Sequence, residues 1–278
     1  MTFEEIISNL FTHQNKLPLV KELVDILSVN TNKAVEFWHY EGIPMFLLQE
    51  LTNIYEILDS DKLKNEEVSY TCLVMNVLQI LAANKEIRSD MVKIQLPFFF
   101  YPYMNSPHTI QKYELLRISA LSYINVFVTC QDKGVIYFFK RSELIPLSLK
   151  CMDIGSVVSK ILASNIFLFI LKDKEGLEYA VQTLERFITI GIVLNVVLGQ
   201  CVQFKSVELV RNILECYCIL VTEENVRLSF ANILPKNLTD ERVLLKIKND
   251  EVSKNLFQKF YSCIKNGETY NFECINDL

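Results

Sequence analysis

Apolar and polar positions alternate with a helical period along most of the chain. Ile43, Leu47, Leu51, Ile54, Tyr55 and Leu58 fall on one face of a 3.6-residue helix, and Gln49, Glu50, Asn53 and Glu56 fall on the other. The segment opens with Gly42-Ile43-Pro44. Proline near a helix start loses an N–H that has no intrahelical partner there, so this triplet predicts a beginning rather than a break. The punctuation returns at Pro97, Pro146 and Pro235, at intervals of 53, 49 and 89 residues, each time after an aliphatic residue. Longer helices are predicted between the prolines, over 66–84, 109–130, 155–173 and 206–224.

The last interval is close to two units of about 44 residues, within the ~40–47-residue period of two- and three-helix solenoids of the armadillo and HEAT type. The expected fold class is all-α, an armadillo-repeat solenoid whose long third helices line a concave face. It is expected as a single domain over residues 1–265, with a loose tail at 266–278, "NGETYNFECINDL". Half of the residues are hydrophobic, and Gly and Pro number only seven each in 278. Sheets and phosphate loops need turn residues in greater supply. The most apolar stretch, "FITIGIVLNVVLGQCV" at 187–202, contains Thr, Asn and Gln and falls short of the ~18 apolar residues of a membrane span. It is expected to be a helix buried on all sides, with no membrane partner.

Charge and cysteine usage narrow the function. A net charge of −5, with no dense basic stripe, makes any nucleic-acid contact local and weak. The acidic N-terminus, "MTFEEIISNLF", is unlike a secretory signal. The eight cysteines form no CxxC pair and lie largely in apolar runs, so they read as reduced core residues of a cytosolic or nuclear protein.

Candidate chemistry is sparse. Walker, nucleophile-elbow, zincin and dinucleotide motifs are absent from the sequence. His39-Tyr40-Glu41 matches half of a zinc deaminase signature, but the P-C-x-x-C half is missing. The pairs Glu4-Glu5, Glu66-Glu67 and Glu223-Glu224 read as solvated helix termini, and His13 and His108 as surface residues. No enzyme activity, metal or cofactor is expected. The aromatic knot at 96–104, "LPFFFYPYM", reads as a short core helix. Trp38 has two readings, a buried core residue or a partner-facing anchor.

Further strings complete the picture: "WH" at 38–39, "LLQE" at 47–50, "NIY" at 53–55, "FYP" at 100–102, "YELLR" at 113–117, "IPLSLKCMDIGSVVSK" at 145–160, "QTLERF" at 182–187 and "CY" at 216–217. In this order they make the chain resemble the required-for-cell-differentiation (RCD-one-like) family, the armadillo-repeat subunit of the Ccr-Not mRNA deadenylase complex. The match runs over about residues 20 to 265.

The resemblance implies a crescent of about six repeats acting as a non-enzymatic adaptor in mRNA deadenylation, decay and translational repression, in the cytoplasm with a nuclear pool. Its partners would be the large Not scaffold subunit and short helical motifs of RNA-bound repressors, and the isolated subunit would form a homodimer. Scaffold docking maps to Trp38, His39, Glu41, Met45 and Thr52, and the peptide groove to Arg117, Ser122 and Leu162. The family's tryptophan-binding pocket maps to Leu184, Arg186 and Asn225. There Leu184 replaces a tyrosine and Asn225 an arginine, so tandem tryptophan binding is expected to be weak or absent. The competing reading is a nucleic-acid-binding solenoid that uses Arg117, Lys160 and Arg211. A nuclear-import-type solenoid would need interleaved tryptophans, and the chain has one.

Overall fold

A computed structural model describes residues 1–60, 62–130, 133–140, 142–204, 206–232 and 234–266, so the tail expected at 266–278 lies almost wholly outside the described residues. The described residues fold into seventeen α-helices joined by short turns, with no strand among them. In order they are α1 (Phe3–Thr12), α2 (Leu17–Val29), α3 (Thr31–His39), α4 (Ile43–Thr52), α5 (Asn65–Ala83), α6 (Lys85–Lys93), α7 (Tyr101–Asn105), α8 (Gln111–Thr129) and α9 (Lys133–Lys140). There follow α10 (Leu144–Ile154), α11 (Val157–Lys172), α12 (Lys174–Val181), α13 (Leu184–Gln200), α14 (Val207–Leu220), α15 (Glu224–Asn232), α16 (Glu241–Lys248) and α17 (Glu251–Asn266). After the α1–α2 pair, the helices group in threes that end on the long members α5, α8, α11, α14 and α17, the organisation of an armadillo-type repeat.

Two compact units are formed, Met1–Phe138 and Phe139–Leu278. In the first, α5 packs between α2 and α8, and in the second α14 packs between α11 and α17. Each long helix thus buries apolar sides on two neighbours. Leu78, Leu81, Leu121, Ile124 and Phe127 are fully buried in the first unit, as are Ile166, Phe167, Ile213, Leu214 and Phe260 in the second.

The helix boundaries follow local chemistry. Thr2 and Glu5 form a capping box on α1, and the side chains of Asn30, Asn84, Ser156, Asp173, Thr183, Ser206 and Asp240 cap seven further helices. Gly42, at φ +85°, turns the chain into α4 in a conformation that a side chain would strain. At Gly176 a Cβ would collide with the Ile170 carbonyl oxygen, so only glycine lets α12 fold back on α11. The turn at 182–183 then sets α12 and α13 at 98° to one another.

Three expectations change. The helix opened by Pro44 stops at Thr52 and is followed by a 3₁₀ turn over Tyr55–Ile57. Glu50, expected on the solvent face, is 5% exposed because the α1–α2 loop folds over it and Lys16 reaches its carboxylate. The segment 187–202 is not buried on all sides: Ile188 and Ile192 are 48% and 59% exposed, so α13 keeps an open apolar face. The knot at 96–104 is a core element as expected, a 3₁₀ turn (Leu96–Phe100) running into α7, with Phe100 stacked on Tyr123 at 3.7 Å between ring centroids. Pro235 precedes a single 3₁₀ turn, Lys236–Leu238.

Candidate docking surfaces

The surface at the end of α3 is built outward from Trp38. The indole is 4% exposed and belongs to the core of the first unit. Lys93 Nζ lies 2.9 Å from Asp90 Oδ1, and the Lys93 hydrogen bond is the main reason that this carboxyl titrates below its ordinary range. Above this fixed base His39 Nε2 stands 3.4 Å from Glu86 Oε1. Tyr40 and Met45 are 44% and 68% exposed, and Glu41 is exposed beside them. Thr52 is half-buried, its hydroxyl donating to the Leu48 carbonyl at 3.0 Å. The structure therefore brings His39, Glu41 and Met45 together on the outer side of a short turn held by Gly42, and keeps Trp38 beneath them. A shallow depression of about 500 Å³, lined by Asn84, Glu86, Ser89, Asp90 and Lys93, continues this polar edge along α6.

The peptide-groove residues fare differently from one another. Ser122 on α8 and Leu162 on α11 are each half-buried, and they belong to different units. Arg117 does not line a groove. Its side chain is 0% exposed, paired with Glu114, and its Nη2 donates to the carbonyls of Ser106 at 2.8 Å and His108 at 2.7 Å. It holds the loop before α8 against that helix. Leu115 and Val158, 46% and 49% exposed, lie seven residues before Ser122 and four before Leu162, the spacing that puts side chains on one helix face. They extend each surface, and only that spacing marks them in the sequence.

Near the start of α13, Leu184 is 71% exposed, and the Arg186 guanidinium lies over the Tyr179 ring at 4.1 Å. Arg186 also donates to the Tyr179 carbonyl at 3.0 Å and to Gln182 Oε1 at 3.2 Å, so its donors are largely engaged within the chain. Asn225 is exposed in the first turn of α15. Between α10 and α13 runs a cleft of about 520 Å³, with Ile145, Leu149, Ile190 and Val193 on its floor and Lys150 and Arg186 on its rim. It is an apolar notch with one stacked cation beside it.

The bases invoked for nucleic-acid contact are engaged elsewhere. Lys160 is 3% exposed and its ammonium donates to the carbonyls of Met152 and, at 2.7 Å, Asp153. It satisfies two backbone acceptors at the end of α10. Arg211 makes a two-pronged pair with Asp250 at 2.9 and 2.5 Å. Arg117 and Lys160 are thus interior, and Arg211, although 43% exposed, is held by the Asp250 carboxylate.

Other singled-out groups have ordinary surroundings. Burial pushes the Cys201 and Cys218 thiols up to about 12, far from the reactive range. Cys151, Cys216 and Cys263 are also buried, Cys130 is exposed, and Cys274 lies outside the described residues. His13 is exposed, while half-buried His108 stacks on Tyr113 at 4.4 Å. Among the described residues no group of three or more His, Cys, Asp or Glu is arranged to hold a metal ion. Among them too, no single helix is long and apolar enough to cross a membrane.

Two crystal structures of engineered proteins superpose with TM-scores of 0.64 and 0.62 at 12% identity, the first covering 97% of this chain and 99% of its own. They support the helical fold alone. The cell differentiation protein rcd1 of Schizosaccharomyces pombe is 31% identical over 221 residues, 80% of this chain and 78% of that protein. The protein CAF40 of Saccharomyces cerevisiae is 30% identical over 222 residues, 80% of this chain and 60% of its own length. The model of the "Cell differentiation family, Rcd1-like" matches residues 6–264, and to that family the chain belongs.

Proposed function

We propose that the chain is a non-enzymatic adaptor subunit of the Ccr-Not mRNA deadenylase complex. It docks on the large Not scaffold subunit through the His39–Met45 surface, and it takes short helical motifs of RNA-associated repressors on exposed faces of its long helices. On this reading it promotes deadenylation, mRNA decay and translational repression, in the cytoplasm with a nuclear pool.

The observation that carries the reading is the family match over residues 6–264 combined with an exposed turn set on a buried tryptophan. Met45, an apolar side chain 68% exposed near the polar contact of His39 with Glu86, suits a small apolar contact with a polar rim. The buried, engaged states of Arg117 and Lys160 weigh against nucleic acid as the partner.

Isothermal titration of the full chain against the middle region of the scaffold from the same organism tests this. One-to-one binding that His39→Ala and Met45→Arg each weaken about tenfold is the expected result. No heat of binding from a folded, helical sample would overturn the adaptor reading.

A further inference from the structure

α13 is apolar on two faces. Ile190, Leu194, Val197 and Leu198 are fully buried, whereas Leu184, Ile188, Ile192 and Val196, four residues apart, are 71, 48, 59 and 37% exposed. Side chains at this spacing lie one above another, so the four form a continuous ladder about 18 Å long. Beside it, a methyl group placed on Gly191 would meet nothing within 4 Å. From Phe187 through Phe204 the chain carries no Asp, Glu, Lys, Arg or His.

We propose that this ladder is the seat of an amphipathic α-helix from a partner protein, one whose docking face is apolar at i, i+4, i+7 and i+11 and bears no charge. Charge selects that occupant. A phosphate, a nucleic acid or a charged peptide face laid along Ile188–Val196 would lose its hydration and meet charge only at the first rung, where Glu185 and Arg186 follow Leu184. A helix that is apolar all round is normally enclosed on every side, and the inner half of α13 is already enclosed.

Area excludes the larger alternative. The four side chains offer roughly 400 Å² of apolar surface, the size of a patch that marks an interaction site and about half of what each partner buries in a stable dimer. Two copies joined through this face alone would separate, whereas one helix of three to four turns covers the ladder from end to end. The space above Gly191 lets that helix approach to the ~8–10 Å axial separation of packed helices. The inference goes beyond scaffold docking and stands without it, since it uses no residue of the His39–Met45 surface.

The test uses the full chain and two labelled, helix-stapled peptides of about 14 residues, built of Ala, Glu, Lys and four Leu. One carries its leucines on a single face, and the other distributes the same leucines around the helix. Fluorescence anisotropy should give saturable binding of the first peptide and at least about tenfold weaker binding of the second. Ile188→Lys/Ile192→Lys should weaken the first peptide by a similar factor while scaffold affinity stays unchanged. If that double variant misfolds, Leu184→Gln at the most exposed rung serves in its place. Equal binding of both peptides, no binding of either, or no effect of the substitutions would overturn the proposal. So would a wild-type dimer in sedimentation that Ile192→Lys dissolves, which would assign the ladder to a second copy. Co-sedimentation with neutral phosphatidylcholine vesicles that Ile192→Lys abolishes would assign it to lipid and overturn the proposal too.

Discussion

Lys16 Nζ stands 2.5 Å from Glu50 Oε1, with the carboxylate side chain 6% and the ammonium 26% exposed. The second carboxylate oxygen accepts from Asn53 at 3.1 Å, and the Lys16 ammonium lies 4.9 Å above the Phe46 ring. This pair ties the α1–α2 loop to α4.

Removing one partner strands a nearly buried carboxylate. Lys16→Met is therefore expected to destabilise the first unit by about 2 kcal/mol, less than a fully enclosed pair would lose because the ammonium is partly wet. Lys16→Met/Glu50→Leu should recover most of that loss. Urea denaturation followed by circular dichroism measures both, and a double variant no better than the single one would refute the account.

Arg117 makes a different case, because two of its acceptors are backbone carbonyls of the loop before α8. Arg117→Ala is expected to cost about 3 kcal/mol by leaving the carbonyls of Ser106 and His108 and the Glu114 carboxylate without their guanidinium. Peptide affinity of the fraction that remains folded should be unchanged. A variant of normal stability that has lost peptide binding would return Arg117 to the groove.

What the sequence discloses follows from what periodicity can encode. The helix expected at 66–84 runs over Asn65–Ala83, and that expected at 109–130 over Gln111–Thr129, because apolar spacing and capping are local signals. Glu50, Arg117 and Lys160 were misread because a charged residue on a helix is normally solvent-facing. Each is buried through a partner that local spacing does not reveal: Lys16 lies 34 residues from Glu50, and the carbonyls that receive Arg117 and Lys160 belong to preceding turns. α13 was misread in the opposite sense. Its apolar residues surround the helix, and the sequence does not say which arc the protein itself covers.

Acid should act on the second unit through Asp250. This carboxylate accepts from Arg211 and from the backbone N–H and hydroxyl of Ser253, and the Arg211 hydrogen bond is the main cause of its lowered pKa. A depressed folded-state pKa gives stability that is complete above the unfolded value of about 3.9 and is lost as the pH falls below it. Melting of the wild type should therefore decline below about pH 4. Asp250→Asn should be less stable at pH 7 by about 1–2 kcal/mol, since the Arg211 side is half-open to water. Its deficit should shrink between pH 4 and pH 2. Parallel melting curves of the two proteins across that range would show that Asp250 carries no such linkage.

Leu162 offers the sharpest test of peptide docking on α11, because it is only half-buried and forms an open apolar step with Val158. Leu162→Glu places a carboxylate where the apolar face of a bound helix would lie, and desolvating that charge without a partner is costly. The substitution removes little interior packing, so stability should fall by only about 1 kcal/mol. Affinity for a repressor helix motif should drop by at least about tenfold, while scaffold binding stays intact because the His39–Met45 surface is in the other unit. Leu162→Met, which keeps an apolar side chain of similar volume, should bind nearly as well as the wild type. If Leu162→Glu and Leu162→Met bind the motif alike, the peptide does not rest on this face of α11.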